Sequence, residues 1–317
     1  MSEAMKIAIL GAGAMGSLFG GLLAEAGHDV TLVDIDDAHL DAIRRDGLSL
    51  VTDAGERVVR NLRACRPEQA AHAPELLIVF TKTMHTEAAL AASRALLGAQ
   101  TAVLSLQNGL GNVERLERSV PRARIMVGMT TWPADKPGPG RVDSHGAGAI
   151  RMMSAAGDTS ADSAASASLA RIVNALNAAG LQCTADPDVW SAIWEKVAFN
   201  AALNSLCAVT QCTVGELSNV PDGETLALKI VAEVAGVARA HGVAVDESHI
   251  GETVLHALAH HRAHRPSMLQ DVLAGRKTEI ESINGAVVAA ARAVPIAAPC
   301  TETLLHLVRL VEARNSH

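Results

Sequence analysis

The sequence contains no tyrosine, and its only other aromatic residues besides histidine are Phe19, Phe80, Phe199, Trp132, Trp190 and Trp194. A reaction that relies on a tyrosine hydroxyl as its proton donor is thereby excluded. Cysteine is scarce too: Cys65, Cys183, Cys207, Cys212 and Cys300 are odd in number, scattered, and form no C-x-x-C pair. That usage suits reduced thiols better than a disulfide framework or a zinc site. No apolar run reaches the length of about 18 residues that a membrane span needs, and no charged-then-apolar leader precedes the first strand-like run. Cations are not in excess either: 27 Lys and Arg face 34 Asp and Glu, a net charge of −7. A nucleic-acid partner, which wants clustered Lys and Arg, is not expected. These absences point to a cytoplasmic protein whose partner is a small molecule.

What is present suits two globular domains: 317 residues, 49% hydrophobic and 19% charged, exceed one ordinary core. The chain opens with the β-type run Lys6-Ile7-Ala8-Ile9-Leu10, then "GAGAMG" (Gly11, Ala12, Gly13, Ala14, Met15, Gly16), then a helical pattern closed by Gly27. A second strand, Asp29 to Val33, leads to Asp34. A G-x-G-x-x-G alone is a weak signal, but strand, helix and a later acid supply the context of a dinucleotide-binding turn. Gly11 permits the tight turn, Gly13 the close approach of backbone to a pyrophosphate, and Gly16 close helix–strand packing. The helix N-terminus offers free N–H groups to the phosphates. Asp34 is placed to accept from ribose hydroxyls, and Asp36 and Asp37 add negative charge, which leads to the expectation of NAD(H) over NADP(H). Asp36 or Asp37 can at the same time cap a helix.

Strands then alternate with helices: 75–82, 101–109, 124–134 and "AIRMM" as strands, 84–97, 111–119 and 166–179 as helices, and "LQCTAD" as a last strand. "DKPGPG" reads as a turn, and 154–165 as a low-complexity surface loop. Lys82 and Asn108 fall at strand ends, where open α/β sheets face their ligand. From Val189 onward the periodicities are helical, over 189–208, 222–241, 247–263, 266–292 and 301–313. The expected division is therefore 1–186, a Rossmann-type doubly wound α/β domain, and 187–317, an all-α domain.

Within "WEKVAFNAALN" (194–204), Lys196, Asn200 and Asn204 recur every four residues and form one stripe on a helix. A solvated face is the usual meaning of such a stripe. The neighbours Val197, Ala198, Phe199, Ala201, Ala202 and Leu203 are too apolar for that, and buried polar groups need partners. The stripe is expected to meet a ligand.

The blocks "GAGAMG", "TK" at 81–82, "QNGLG" at 107–111, "WEKVAFNAALNSLCAVTQCTVGEL" at 194–217 and "SMLQDVLAGRKTEIESINGAVV" at 267–288 together resemble the ketopantoate reductases (2-dehydropantoate 2-reductases) almost end to end. The resemblance implies a helical domain like the C-terminal domain of 6-phosphogluconate dehydrogenase. It also implies NAD(P)H-dependent reduction of a 2-keto acid, 2-dehydropantoate to pantoate, in pantothenate biosynthesis. Lys196 matches the family's proton donor and Glu279 the acid near the lysine and the nicotinamide. Asn200, Asn204 and Ser267 match groups that bind the substrate. Asn108 matches the residue beside the nicotinamide ribose, and Ala134 the loop that closes over it. No metal is implied, and a homodimer is allowed.

Four positions depart from the family pattern: His264, Val214, Ser282 and Thr301. Lost amides would favour a larger, more apolar or differently charged substrate. A charged His264 would replace a lost Asn as carboxylate partner, with activity falling as pH rises through its pKa. His249, His256, His260 and His264, spaced seven, four and four, read as pocket lining or a solvated face rather than a zinc site, since no acid or Cys at ligand spacing accompanies them. The competing readings are an NAD-linked dehydrogenase of another hydroxy acid or secondary alcohol, and a non-catalytic dinucleotide sensor, for which the Lys196–Glu279 pair would have no use.

Overall fold

The computed structural model describes residues 3–157 and 164–315. Half of the loop expected at 154–165, residues 158–163, lies outside the described residues. The chain divides into two compact units, one of residues up to Gln107 with Asn112–Val189, the other of Asn108–Gly111 with residues from Trp190 onward.

The first unit runs β1 (Lys6–Leu10), α1 (Ala14–Glu25), β2 (Asp29–Val33), α2 (Asp37–Asp46), β3 (Leu48–Thr52), β4 (Gly55–Val59), β5 (Leu62–Cys65) and β6 (Leu76–Val79). It continues with α3 (Thr86–Ala92), β7 (Ala102–Ser105), α4 (Asn112–Glu117), β8 (Ile125–Thr130), β9 (Asp135–Gly138), β10 (Arg141–Ser144), β11 (Ile150–Ser154), α5 (Ala164–Ala178) and β12 (Cys183–Ala185). One sheet has the order β12-β11-β8-β7-β6-β1-β2-β5. From β8 to β5 every pairing is parallel, and β11 joins β8 antiparallel. The central strands β6 and β7 are buried along their whole length, which is why they read as unbroken apolar runs rather than alternating ones.

Helix α1 lies between this sheet and a second one. A Cβ at Gly20 would meet Leu32 and Ile9 of the large sheet, and one at Gly21 would meet Leu48, Leu50 and Val59. Those last three belong to a four-stranded sheet of order β4-β3-β10-β9. Glycines on α1 let both sheets approach it. Leu18, Phe19 and Leu23 fill the remaining space and are fully buried. Each such side chain contributes about 1.5–3 kcal/mol of hydrophobic stabilisation.

The helical unit contains α6 (Val189–Thr210), α7 (Val214–Leu217), α8 (Pro221–Ala240), α9 (Glu247–His260), α10 (Ser267–Leu273), α11 (Asn284–Arg292) and α12 (Pro299–Asn315). Helix α8 packs against α9, α11 and α12. Helix α6 buries Val197, Ala198, Ala201, Ala202, Leu203, Cys207 and Ala208, residues that go all round its circumference, as expected of a helix in the middle of a core. Pro221 starts α8 at a position where a missing N–H costs nothing.

Three sequence expectations change. The second sheet was not foreseen, although "LSLVTDAGERVV" carries the alternation and the Gly55 turn (φ +107) of a hairpin. "DKPGPG" is partly strand, pairing with β10. The helix expected over 266–292 is two helices, because 274–283 turns on itself: Ser282 and Ile283 both donate N–H to the Glu279 carbonyl. Glu279 therefore sits in a turn.

One of the two tightest glycine contacts lies in the glycine loop. A Cβ at Gly16 would stand 1.9 Å from the Gly11 carbonyl oxygen, so Gly16→Ala must displace backbone. Urea unfolding of that variant is expected to show a loss of about 1–3 kcal/mol, the usual range for overpacking. A variant as stable as the parent would contradict the close packing described.

Candidate active site

The glycine loop leaves β1 with Gly11 at φ +100, its Cα so close to Phe80 and Thr81 that a Cβ would lie 2.6 Å from the Thr81 nitrogen. The Gly11 N–H donates to the Val33 carbonyl at 2.8 Å. A Cβ at Gly13, in contrast, would meet nothing within 4 Å. No side chain caps α1, and the N–H groups of Gly13, Ala14, Met15 and Gly16 donate to no acceptor among the described residues. Open space at Gly13 beside four unused donors and the positive end of a helix dipole is what a pyrophosphate requires. The residues present therefore fit a dinucleotide cofactor.

Asp34 takes a different part from the one expected. Its Oδ2 accepts from the Ala12 N–H at 2.6 Å, and its Oδ1 from the N–H groups of Ile35 at 2.7 Å and Asp36 at 3.0 Å. The carboxylate is engaged in holding the loop. Asp36 caps α2 through the His39 N–H and pairs with Lys136 at 2.7 Å, which holds its carboxyl below the usual range. Arg66 pairs with Asp37 at 2.8 Å and donates to the Ile35 carbonyl. The negative charge read from "DIDD" is thus balanced by two cations from distant parts of the sequence.

Lys82 is half-buried just after β6, at the start of the turn Thr83–His85. Its loop is held by Gln107, whose amide donates to the Thr81 carbonyl at 2.5 Å and to the Thr86 hydroxyl at 2.8 Å. Gln107 was not singled out by sequence reasoning, although it opens "QNGLG". Ala134 packs on the core of the α/β unit. The loop before it is fixed by Trp132, whose indole donates to the Leu181 carbonyl at 2.8 Å, and by Ser144, which donates to the Pro133 carbonyl at 2.7 Å.

In the helical unit, Lys196, Asn200 and Asn204 lie along α6 at one-turn intervals. Burial pulls the Lys196 ammonium down to about 8, and the Glu279 carboxylate opposes that fall. Asn108 reaches the same carboxylate, its amide 3.4 Å from Glu279 Oε2. Segment 108–111 is itself anchored to the Glu279 turn: Leu110 donates its N–H to the Ser282 carbonyl at 2.9 Å. Gly109, at φ +83, leaves no room there for a side chain, since its Cβ would be 2.2 Å from that oxygen. Lys196, Glu279 and Asn108 form one group.

Asn200 and Asn204 are only 8% and 6% exposed; neither amide is hydrogen-bonded to another of the described residues, and their polar atoms are not sealed from solvent. On the lysine's own face of α6 they are candidate hydrogen-bonding groups for a ligand. Ser267 is exposed and is the first residue of α10, with Pro266 rather than Ser267 at the cap position. His264 is exposed, and its carbonyl accepts the Val214 N–H at 3.0 Å. His249, His256 and His260 are exposed on α9, with the last two rings stacked at 4.3 Å.

The other departures have structural explanations. Val214 is buried at the start of α7. Thr301 is buried, and its hydroxyl donates at 2.7 Å to Glu233, which also accepts the first N–H groups of α12. Ser282 is buried, with its hydroxyl on the Glu279 carbonyl. Of the four, only His264 is exposed.

The sequence model of the family "Ketopantoate reductase PanE/ApbA" matches residues 7–157, and that of its C-terminal domain matches residues 188–312. The chain belongs to the ketopantoate reductase family. Its relatives include a 2-dehydropantoate 2-reductase of Halobacterium salinarum, 37% identical over 97% of this chain and 99% of the relative. Another, from Streptococcus pyogenes, is 35% identical over 98% of each chain. Among solved structures, D-mandelate dehydrogenase with NADH and anilino(oxo)acetate superposes with a TM-score of 0.92 at 30% identity, over 99% of this chain and 100% of that one. The 2-dehydropantoate 2-reductase of Geobacter metallireducens gives 0.88 at 29% identity, over 96% and 99%.

Family membership corrects the cofactor expectation. Ketopantoate reductases generally use NADPH, and nothing supports a preference of this chain for NAD(H) over NADP(H). The physical reason is visible above: Asp34 is committed to backbone N–H groups, and Lys136 and Arg66 offset Asp36 and Asp37.

The unpartnered amides generate a prediction. Leucine has the branched outline of asparagine and needs no hydrogen bonds, so Asn204→Leu is expected to keep or raise the urea midpoint. It should also raise KM for the keto acid roughly tenfold or more, since about 1.4 kcal/mol is a factor of ten. Lower stability together with unchanged KM would show that Asn204 is a structural residue.

Proposed function

We propose that this ketopantoate reductase family member reduces 2-dehydropantoate to pantoate, with Lys196 as general acid. The observation that carries the reading is the lysine itself: an ammonium lowered to about 8 by burial, held against Glu279, in line with two unpartnered amides. NADPH, when bound through Gly11–Gly16, supplies the hydride that reaches the carbonyl carbon. The Lys196 ammonium donates its proton to the keto oxygen, where negative charge develops, and so completes the hydroxyl group. An ordinary lysine, near 10.4, gives up its proton reluctantly; one near 8 is protonated at neutral pH and a better donor. Glu279 keeps it from losing that proton altogether. Asn200 and Asn204 hold the hydroxyl and carboxylate oxygens of the substrate, and Ser267 adds a hydroxyl to the carboxylate.

The curated relatives are reductases by name, so an oxidative role on another hydroxy acid is not favoured. A pure sensor would have no need of a depressed lysine.

Two measurements test the mechanism. Lys196→Ala is expected to lower kcat about 10²–10⁴-fold, the usual worth of a positioned acid, while NADPH fluorescence still reports binding. Normal turnover by this variant would falsify the assignment. In the parent protein only the protonated lysine serves, so reductive kcat should be level below pH 8 and fall as pH rises through about 8. A profile level to pH 10 would exclude Lys196 as the donor.

A further inference from the structure

The α/β unit contains a chain of hydrogen bonds that the reaction scheme does not use. His39 of α2 is fully buried. Its Nδ1 accepts the Gly140 N–H at 2.9 Å, and its Nε2 lies 2.9 Å from the Ser17 hydroxyl. That hydroxyl is 2.9 Å from the Ala12 carbonyl oxygen, to which it donates.

Every proton in the chain is determined by these contacts. A backbone N–H can only donate, so Nδ1 is the acceptor and carries no proton. The proton of the neutral ring is then on Nε2 and points at the serine. Ser17 accepts it, and its own proton goes to Ala12, whose carbonyl can only accept. Any other protonation state breaks a link.

We propose that His39 and Ser17 are positioning residues for the dinucleotide, fixing the Ala12–Gly13 peptide so that the Gly13 N–H is presented to the phosphates. The peptide is trans, so its N–H points opposite to its C=O, and pinning the carbonyl at Ser17 aims the N–H away, toward the open side of Gly13. The preceding peptide is pinned separately, by the Ala12 N–H on Asp34 at 2.6 Å. Both peptide planes of the loop are thereby set. The far end of the chain is equally rigid. Gly140, at φ +71, has its Cα against Ala42, where a Cβ would come within 2.8 Å, and its carbonyl accepts the Ser49 N–H at 2.8 Å. The β9–β10 turn of the small sheet thus steadies the glycine loop through His39. The inference rests on the reading that Gly11–Gly16 holds a dinucleotide.

The relay is sensitive to acid. Protonation of Nδ1 would turn the acceptor for Gly140 into a second donor facing an N–H. Burial holds His39 below its ordinary 6.5; Lys136 lowers it further, and Asp36 and Asp34 oppose. The neutral relay is therefore complete above 6.5 and is lost as pH falls through the depressed value.

NADPH titration of Ser17→Ala decides the question, with KM for NADPH and kcat measured alongside. The expected result is a dissociation constant and a KM raised several-fold, up to about tenfold, as one hydrogen bond of about 0.5–1.5 kcal/mol implies. At saturating NADPH kcat should fall less than twofold. In the parent, NADPH affinity should weaken as pH falls through the depressed His39 value, below 6.5, and the variant should lose that acid weakening. His39→Phe should match Ser17→Ala, whereas His39→Gln, which can both accept and donate, should recover part of the affinity. A folded Ser17→Ala with parental affinity and parental pH dependence would overturn the proposal. NADPH binding by the parent reports on the proposed function, and its change in the variants reports on the relay, so the two cannot be confused.

Discussion

A single cation set into an apolar helix organises the helical unit. Lys196 sits in a stretch of α6 rich in Val, Ala and Leu, and the Glu279 carboxylate favours the ammonium there against the cost of burial. The turn that carries Glu279 is in turn fixed by neighbours: Ser282 and Ile283 bond back to its carbonyl, and Leu110 bonds to Ser282. The order of dependence runs from charge to turn to loop. Loss of the Glu279 charge, or a relaxed turn that moves it away, would drive the lysine toward its neutral form, and the acid would be lost before any substrate arrived.

The stripe on α6 was legible because the helical period and the apolar neighbours are both local facts. The glycine loop was legible for the same reason, with strand, turn and helix adjacent in the chain. Asp36 caps α2 as its position in the chain suggests, but the charge balance at Asp36 and Asp37 was misread because the cations that meet them are not local. Lys136 meets Asp36 across 100 residues, and Arg66 meets Asp37 across 29. A charge run counted along the sequence says nothing about cations that the fold brings to it. The same holds for His39, whose bond to Gly140 spans 101 residues.

Pattern also failed where a turn hides inside a helical periodicity. The segment "LAGRKTEIESIN" keeps apolar residues at helix-like spacing, yet Gly275 (φ +65) ends α10 and the chain does not resume a helix until Asn284. The apolar positions there, Ile280 and Ile283, are buried by the turn itself. Departures such as Ser282 and Thr301 were given a substrate meaning for want of this information. Both are engaged with protein atoms.

The assignment of Asn108–Gly111 to the helical unit has an evolutionary side. The chain passes from one unit to the other three times, after Gln107, after Gly111 and after Val189. A helical unit copied from Trp190 onward would lack the segment whose Leu110 N–H meets Ser282. Such a unit is not a cassette that recombination could move whole onto a new nucleotide-binding partner. The two halves are stitched together in the gene as well as in the protein, and their lineage should be inherited as one piece.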